Sequence, residues 1–316
     1  MGAVVIRAPL RVALGGGGTD LPSYYREHGG LVVSTAIDKY VHMTVSAQFQ
    51  RRFLLKHLEW EEVDDPREVR HPILREALAH HWSAGPIELA SVGDVPPGTG
   101  LGSSGAYAVC AINALELLSG NELAPAELAE AACRLEIDVL GRSIGKQDQY
   151  AAAFGGLRAY TFNPDHSVTV RELQLSDDTR RSLRDEFLLF FTGKERSASD
   201  ILGAGQQEEA LHRLKQLAAA TIAALEAGDL VRVGELMDEH WEVKRRRAPG
   251  TVTEDMDQLR DHALRAGARG VISLGAGGGG FLLVYTPEPD RTREALSADG
   301  VPEVSFDLDG TGCTSL

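Results

Sequence analysis

Ten residues, Pro96-Pro97-Gly98-Thr99-Gly100-Leu101-Gly102-Ser103-Ser104-Gly105, constrain this chain more than any other stretch. They hold four glycines and two adjacent serines, and they run into a helical pattern with Tyr107, Cys110, Ala111, Ala114 and Leu118 on one face. Glycines let backbone N–H groups approach an anion closely, and the helix dipole favours negative charge at that end. Serine hydroxyls at the helix start can bind a phosphate oxygen or a phosphate-bound Mg²⁺. A tight turn before a helix is the plainer reading, but a run this dense favours a phosphate site. It is not a Walker A loop, because no Gly-Lys-Ser/Thr is present. It is not a dinucleotide fingerprint either, because Gly98, Gly100 and Gly102 give Gly-x-Gly-x-Gly.

The chain has 316 residues, enough for two domains of ordinary size. A net charge of −14 argues against nucleic acid or an anionic membrane surface as the main partner. An acidic protein that handles phosphates must therefore build a local cationic pocket. Cys110, Cys133 and Cys313 are far apart and odd in number, without metal or disulfide spacing, which suits a reducing cytoplasm. There is no run of 18 apolar residues, and Arg7 and Arg11 interrupt any apolar leader, so the expected location is cytoplasmic.

Val4-Val5-Ile6 and Val12-Ala13-Leu14 read as short strands on either side of Ala8-Pro9. Residues 31–45 read as two strands around Asp38-Lys39, and residues 50–70 as charged and irregular. Helical patterns follow at 71–83, 105–118 and 125–140, the last opening with Pro125 at the first helical position. Residues 187–191 read as a buried strand. Residues 206–227, 229–247 and 254–267 read as helices, and residues 271–285 as strand, glycine loop, strand. A boundary near residue 180 divides the chain into 1–180 and 181–316.

Two further clusters bear on chemistry. Residues 11–20 carry Arg11, then Gly15-Gly16-Gly17-Gly18-Thr19-Asp20, with nine positions from Arg11 to Asp20. Four successive glycines cannot lie inside a strand or helix. They form either a hairpin loop or a place where backbone approaches a ligand. Glu136 borders the apolar stripe of its helix, as a satisfied edge residue or a metal ligand. Asp148, twelve residues on, is a helix N-cap or a functional carboxylate.

Taken together, Pro-Pro-Gly-x-Gly-Leu-Gly-Ser-Ser, the Arg11–Asp20 spacing and Gly145-Lys146-Gln147-Asp148-Gln149-Tyr150 resemble the galactokinase, homoserine kinase, mevalonate kinase and phosphomevalonate kinase (GHMP) superfamily. The resemblance implies an α+β fold in two domains: an N-terminal one like ribosomal protein S5 domain 2 and a ferredoxin-like C-terminal one. It implies ATP and Mg²⁺ as cofactors. ATP would lie on Pro97, Gly98, Gly100, Leu101, Gly102, Ser103 and Ser104, and Mg²⁺ on Ser104 and Glu136. Asp148 would take or orient the acceptor's hydroxyl proton, with Arg11 organising the charge around it. Gly17, Gly18, Thr19 and Asp20 would meet the acceptor, with Asp20 accepting from sugar hydroxyls, and Gly277 and Gly278 would flank it from the C-terminal glycine loop.

Galactokinases carry Glu-His where this chain has Gly17-Gly18, so the acceptor site is either roomier or offers backbone N–H groups instead, a change that suits a larger or phosphorylated sugar. Ala36-Ile37-Asp38-Lys39-Tyr40 and the residues around Asp148 resemble the D-glycero-D-manno-heptose 7-phosphate kinase branch, which phosphorylates an anomeric hydroxyl. The partner implied is then a small sugar phosphate, with a homodimer among the assemblies the resemblance allows. Lys194 and Arg196, clustered with Ser197 and Ser199, are candidates for the acceptor's own phosphate. Arg247, in Lys244-Arg245-Arg246-Arg247, has the look of a phosphate clamp, but a cationic helix end that complements the dipole is the favoured reading. Fucose, another hexose, an octose phosphate or a different heptose stereoisomer are alternative acceptors. A non-catalytic sensor is the alternative of another class, and the retention of Ser104, Glu136 and Asp148 disfavours it.

Overall fold

The computed structural model describes residues 2–49, 51–193, 207–247, 250–275 and 277–316. In chain order the first half contains β1 (Val4–Gly15), α1 (Pro22–His28), β2 (Gly30–Ala47), β3 (Phe53–Lys56), β4 (Trp60–Val63), α2 (Pro72–His81), β5 (Ile87–Gly93), α3 (Ser103–Leu118), α4 (Pro125–Cys133), α5 (Gln147–Phe154), β6 (Leu157–Phe162) and β7 (Val168–Glu172). The rest contains α6 (Asp177–Glu186), β8 (Phe187–Phe191), α7 (Glu208–Ala227), α8 (Leu230–Arg247), α9 (Glu254–Arg265), β9 (Gly270–Ser273), β10 (Phe281–Tyr285), α10 (Pro289–Ala298) and β11 (Thr314–Ser315). A π-helical turn, Arg134–Val139, continues α4.

Two sheets organise these elements. The larger runs β11-β1-β2-β5-β3-β4, with β6 and β7 continuing from β2; the smaller runs β8-β10-β9. The chain changes sheet between Glu172 and Phe187, and its last residues return to the larger one. Ile6 and Arg7 pair with Ser315 and Thr314, and Ile37 bridges Leu308.

The two strands expected at each end of Ala8-Pro9 are one strand. Ile6, Ala8, Leu10, Val12 and Leu14 are all buried, so the period-2 pattern passes straight through the proline. Pro9 sits where the β1–β2 register shifts, the position in a ladder that tolerates a missing N–H. The expected turn at Asp38-Lys39 is likewise no turn. Pro9 pairs with Tyr40 and Leu10 with Ile37, so Asp38 and Lys39 bulge from a continuous β2. Within residues 50–70, expected to be irregular, β3 and β4 form a short antiparallel hairpin, and β3 lies parallel to β5.

Helix α3 is the core helix of the larger unit. Eleven of its sixteen residues are buried, from Gly105 to Leu118, and it packs on β1, β2, α2, α4 and α5. Small residues such as Ala108, Ala111 and Ala114 let neighbouring elements approach on several sides, while each buried Ile112 or Leu115 contributes about 1.5–3 kcal/mol. This anchoring fixes where the helix's N-terminus points. Helices α7 and α8 pack together, α7 also on β1 and β2, and α8 on β9. The C-terminal glycine segment meets the loop before α3 at Gly100, which lies against Leu274 and Gly275.

Candidate active site

Three glycine-rich segments and the faces of α5 and α8 enclose a cavity of about 650 Å³. One wall is the N-terminus of α3. Its N-cap, Gly102, is left-handed (φ 78°) and supplies no side-chain cap, and the first turn carries no acidic residue. Gly98 (φ 75°) and Gly100 (φ 89°) are left-handed too, so every second residue of the loop reverses the backbone. The result is an uncapped, dipole-positive helix end facing the cavity, with Pro97, Gly98, Gly100, Gly102, Ser103 and Ser104 lining it. Gly100 also presses on the C-terminal glycine segment, where a Cβ would lie 2.6 Å from the Leu274 carbonyl oxygen.

The central carboxylate is Asp148, in the first turn of α5. Arg11 donates to its Oδ1 from Nε (2.8 Å) and Nη2 (2.6 Å), and from Nη1 to the Gly100 carbonyl (2.6 Å). One buried guanidinium therefore ties the carboxylate to the glycine loop, in charge-assisted bonds among the stronger a protein makes. The close approach of α5 to α3 requires glycine, since a Cβ on Gly105 would fall 2.7 Å from Asp148 Cβ and 3.0 Å from its carbonyl carbon.

Beside the loop, Ser104 Oγ donates to Glu136 Oε1 (2.5 Å), and Arg142 Nη1 reaches both Ser104 Oγ (2.8 Å) and Glu136 Oε1 (2.7 Å). Gln149 Nε2 donates to the other oxygen, Oε2 (2.6 Å). Glu136 is fully buried, and burial pushes its carboxyl up despite these donors. The π-helical turn that carries it is a local departure of the kind found at functional positions. Two hard oxygens at an uncapped helix start make a fitting donor pair for Mg²⁺, with the Arg142 guanidinium now on the same carboxylate oxygen.

On the opposite side lies Asp20, also buried. It accepts from the backbone N–H of Gly18 (3.0 Å) and of Gln147 (3.1 Å), and burial pushes its pKa up. Gly145 is required beneath it, because a side chain there would collide with this carboxylate. The remaining wall is a face of α8: His240, Lys244 and Arg247, at i, i+4 and i+7, all line the cavity and are all buried. Lys244 donates to the carbonyls of Ser273 (2.8 Å) and Gly275 (2.7 Å), and burial, with Arg247 and Arg11 nearby, holds it down to about 7. Burial beside these cations holds His240 down to about 3.

The chain's likeness to known proteins agrees with this arrangement. The family model of the GHMP kinases N terminal domain matches residues 71–156, and that of the GHMP kinases C terminal region matches residues 221–301. The chain belongs to the GHMP kinase family. Along its whole length this GHMP kinase is similar to D-glycero-alpha-D-manno-heptose 7-phosphate kinase of Campylobacter jejuni: 28% identical, over 94% of this chain and 93% of that protein. The crystal structure of a D-glycero-D-manno-heptose 1-phosphate kinase from Bacteriodes thetaiotaomicron superposes with a TM-score of 0.81 at 26% identity, over 99% of this chain and 98% of that one. Lactococcus lactis galactokinase complexed with galactose shares the fold, with a TM-score of 0.76 at 20% identity, over 99% and 95% of the two chains. The two-domain GHMP kinase fold is thus the architecture of this chain.

Within the kinase cavity the structure brings together Arg11, Asp148, Ser103, Ser104, Gly17, Gly18, Asp20 and Gly277 from the sequence expectations, with Glu136 behind Ser104. Three expected residues stand elsewhere. Leu101 is fully buried in the core and anchors the loop, its carbonyl accepting from the Arg11 N–H (3.0 Å). Thr19 spends its hydroxyl on the carbonyls of Gly16 (2.8 Å) and Leu31 (2.9 Å), and so braces the glycine turn without lining the cavity. Gly278 is held by its N–H to the Thr251 carbonyl (2.8 Å), while Gly277 and Gly279 line the site. Lys194 and Arg196 lie outside the described residues.

Arg247 is a correction of another kind. Although it does end α8, it is a buried guanidinium, 7% exposed, on the cavity wall, which favours the clamp reading over a helix end that only complements the dipole. Sequence reasoning also missed Arg142, Gln147 and Gln149. The i, i+4, i+7 spacing of His240, Lys244 and Arg247 was the available signal for the α8 face.

Proposed function

We propose that this GHMP kinase transfers the γ-phosphoryl group of ATP to the anomeric hydroxyl of a heptose 7-phosphate. The supporting observation is the position of one carboxylate. Asp148 packs against the uncapped start of α3, where phosphates are favoured, and shares a cavity with Asp20, whose buried carboxylate is suited to polyol hydroxyls. The likeness to a heptose 7-phosphate kinase over 94% of this chain supports that choice of sugar.

In this reading the nucleotide's phosphates lie on the glycine loop and the backbone N–H groups of α3. Ser104 and Glu136 would hold Mg²⁺, which when bound neutralises phosphate charge. Asp20 orients the sugar by accepting from its hydroxyls. Asp148 accepts from the anomeric O–H, whose oxygen forms the new bond to phosphorus as the bond to the ADP oxygen breaks; the proton passes to Asp148. Arg11 keeps Asp148 aimed, and Lys244 fastens the C-terminal glycine segment through two carbonyls. Catalysis is mostly positioning and charge balance, as expected for a loose phosphoryl-transfer transition state.

ADP release measured against heptose 7-phosphates, hexoses and mevalonate tests the reading. It expects the highest kcat/KM with a heptose 7-phosphate, and equal or better use of a plain hexose would overturn it.

A further inference from the structure

Among the described residues, eight buried side-chain N or O atoms have no hydrogen-bond partner, and four of them belong to residues lining the active-site cavity: Gln147, His240, Arg247 and Ser273. A folded protein pairs nearly all such atoms, so their concentration in one place points to a polar ligand that completes them. Arg247 is the one that carries a fixed charge. Its Nε is unpartnered although the side chain is more than nine-tenths buried.

Its neighbours set it apart from the nucleotide loop. Arg247 Nη1 lies 2.6 Å from where a Cβ of Gly18 would stand, and Leu211 flanks the same position. Gly18 itself is left-handed (φ 96°). By contrast, the glycine loop before α3 is packed on Asp148, Arg11, Leu274 and Gly275. Arg247 therefore sits on the Gly18–Asp20 side, near enough for the charge of Asp20 to act on its guanidinium. Among the described residues the other cavity cations are committed: Arg11 to Asp148, Arg142 to Glu136, and Lys244 to the carbonyls of Ser273 and Gly275. Any side chain at Gly18 would push the guanidinium aside, so the bare glycine and the orphaned arginine form one device.

We propose that Arg247, given room by Gly18, is the receptor for the phosphate group that the acceptor sugar already carries, and so the residue that selects phosphorylated over unphosphorylated acceptors. The proposal rests on the reading that the acceptor is a sugar phosphate. A guanidinium offers a planar fork that matches two phosphate oxygens, and a dianion there balances a buried positive charge. A local cation is needed in any case, since a chain of net charge −14 otherwise repels such a substrate.

The test compares kcat/KM for heptose 7-phosphate and for the unphosphorylated heptose in wild type, Arg247→Gln and Arg247→Lys. Melting temperature and the KM for ATP serve as folding controls. Loss of one charge-assisted contact predicts that the preference for the phosphorylated sugar falls about 10- to 100-fold in Arg247→Gln, through KM, and by a smaller factor in Arg247→Lys. A preference that survives in both variants overturns the proposal while leaving the heptose 7-phosphate reading intact. If wild type shows no preference, that reading falls, and inorganic phosphate decides the subsite on its own. Inhibition competitive with the accepted sugar in wild type and relieved in Arg247→Gln supports the site; equal inhibition, or none, overturns it. Should Arg247→Gln fail to fold, Arg247→Lys decides alone, and an unchanged preference in it overturns the proposal.

Discussion

Asp148 and Glu136 are both carboxylates near one loop, yet their surroundings assign them different work. Asp148 is half-open to the cavity and held by Arg11, whereas Glu136 is sealed behind Ser104. Asp148→Asn keeps the shape but weakens acceptance of a proton. We expect kcat to fall about 10²- to 10⁴-fold, with ATP affinity in equilibrium titration nearly unchanged. Turnover within a few-fold of wild type would remove Asp148 from proton transfer. Glu136→Gln and Ser104→Ala should each shift the Mg²⁺ titration of activity to higher concentration, and coincident curves would remove that pair as the metal's ligands. Most of these side chains were legible only through the family resemblance, whose spacings the chain matches: nine from Arg11 to Asp20, and twelve from Glu136 to Asp148. Thr19 and Leu101 show where spacing stops informing, because adjacency to a loop does not say which way a side chain turns.

Elements explain why the site holds its shape. Helix α3 and helix α5 meet so closely at Gly105 that the position of Asp148 depends on the absence of one methyl group. Gly105→Ala is expected to lower stability by about 1–3 kcal/mol through overpacking and to displace Asp148 from Arg11, reducing kcat more than the KM for ATP. Denaturant unfolding and steady-state kinetics together check this, and an unperturbed kcat would show that the α3–α5 spacing is not limiting. Six helices were read closely from apolar periodicity, since that signal is local, whereas α1, α5, α6 and α10, all of ten residues or fewer, were not read as helices. The long strands were not read closely either. Pro9 and Asp38-Lys39 look like chain reversals, and only the cross-strand register shows that they are irregularities within β1 and β2. The face of α8 was hidden for another reason: Lys244-Arg245-Arg246-Arg247 reads as a cationic helix end, and only the packing of α8 on α7 and β9, with Lys244 and Arg247 buried, shows that one side of it faces inward.

At the scale of the whole molecule, a −14 chain closes around a cationic wall, and we propose that two units meeting near residue 180 share it. That wall leaves a thermodynamic trace. Lys244 is held down to about 7 in the folded state against 10.5 when free, so the unfolded chain binds the extra proton between those values. Stability from this group is fully present above about 10.5 and is lost as pH falls through about 7, an effect of a few kcal/mol. His240 acts in the same sense between 6.5 and about 3, while the raised carboxyls of Asp20 and Glu136 act oppositely. Lys244→Met should therefore flatten the rise of melting temperature from pH 7 to 10, and an unchanged slope would place the cause elsewhere. Phosphorus NMR of the product is the sharpest check of phosphoryl transfer to the anomeric hydroxyl of a sugar that already bears a phosphate. With ATP, Mg²⁺ and a heptose 7-phosphate, a second phosphate resonance coupled to the anomeric proton is expected, with the original phosphate retained and one ADP formed per sugar. A product phosphorylated at any other carbon, or ADP formed without a new sugar phosphate, would contradict it.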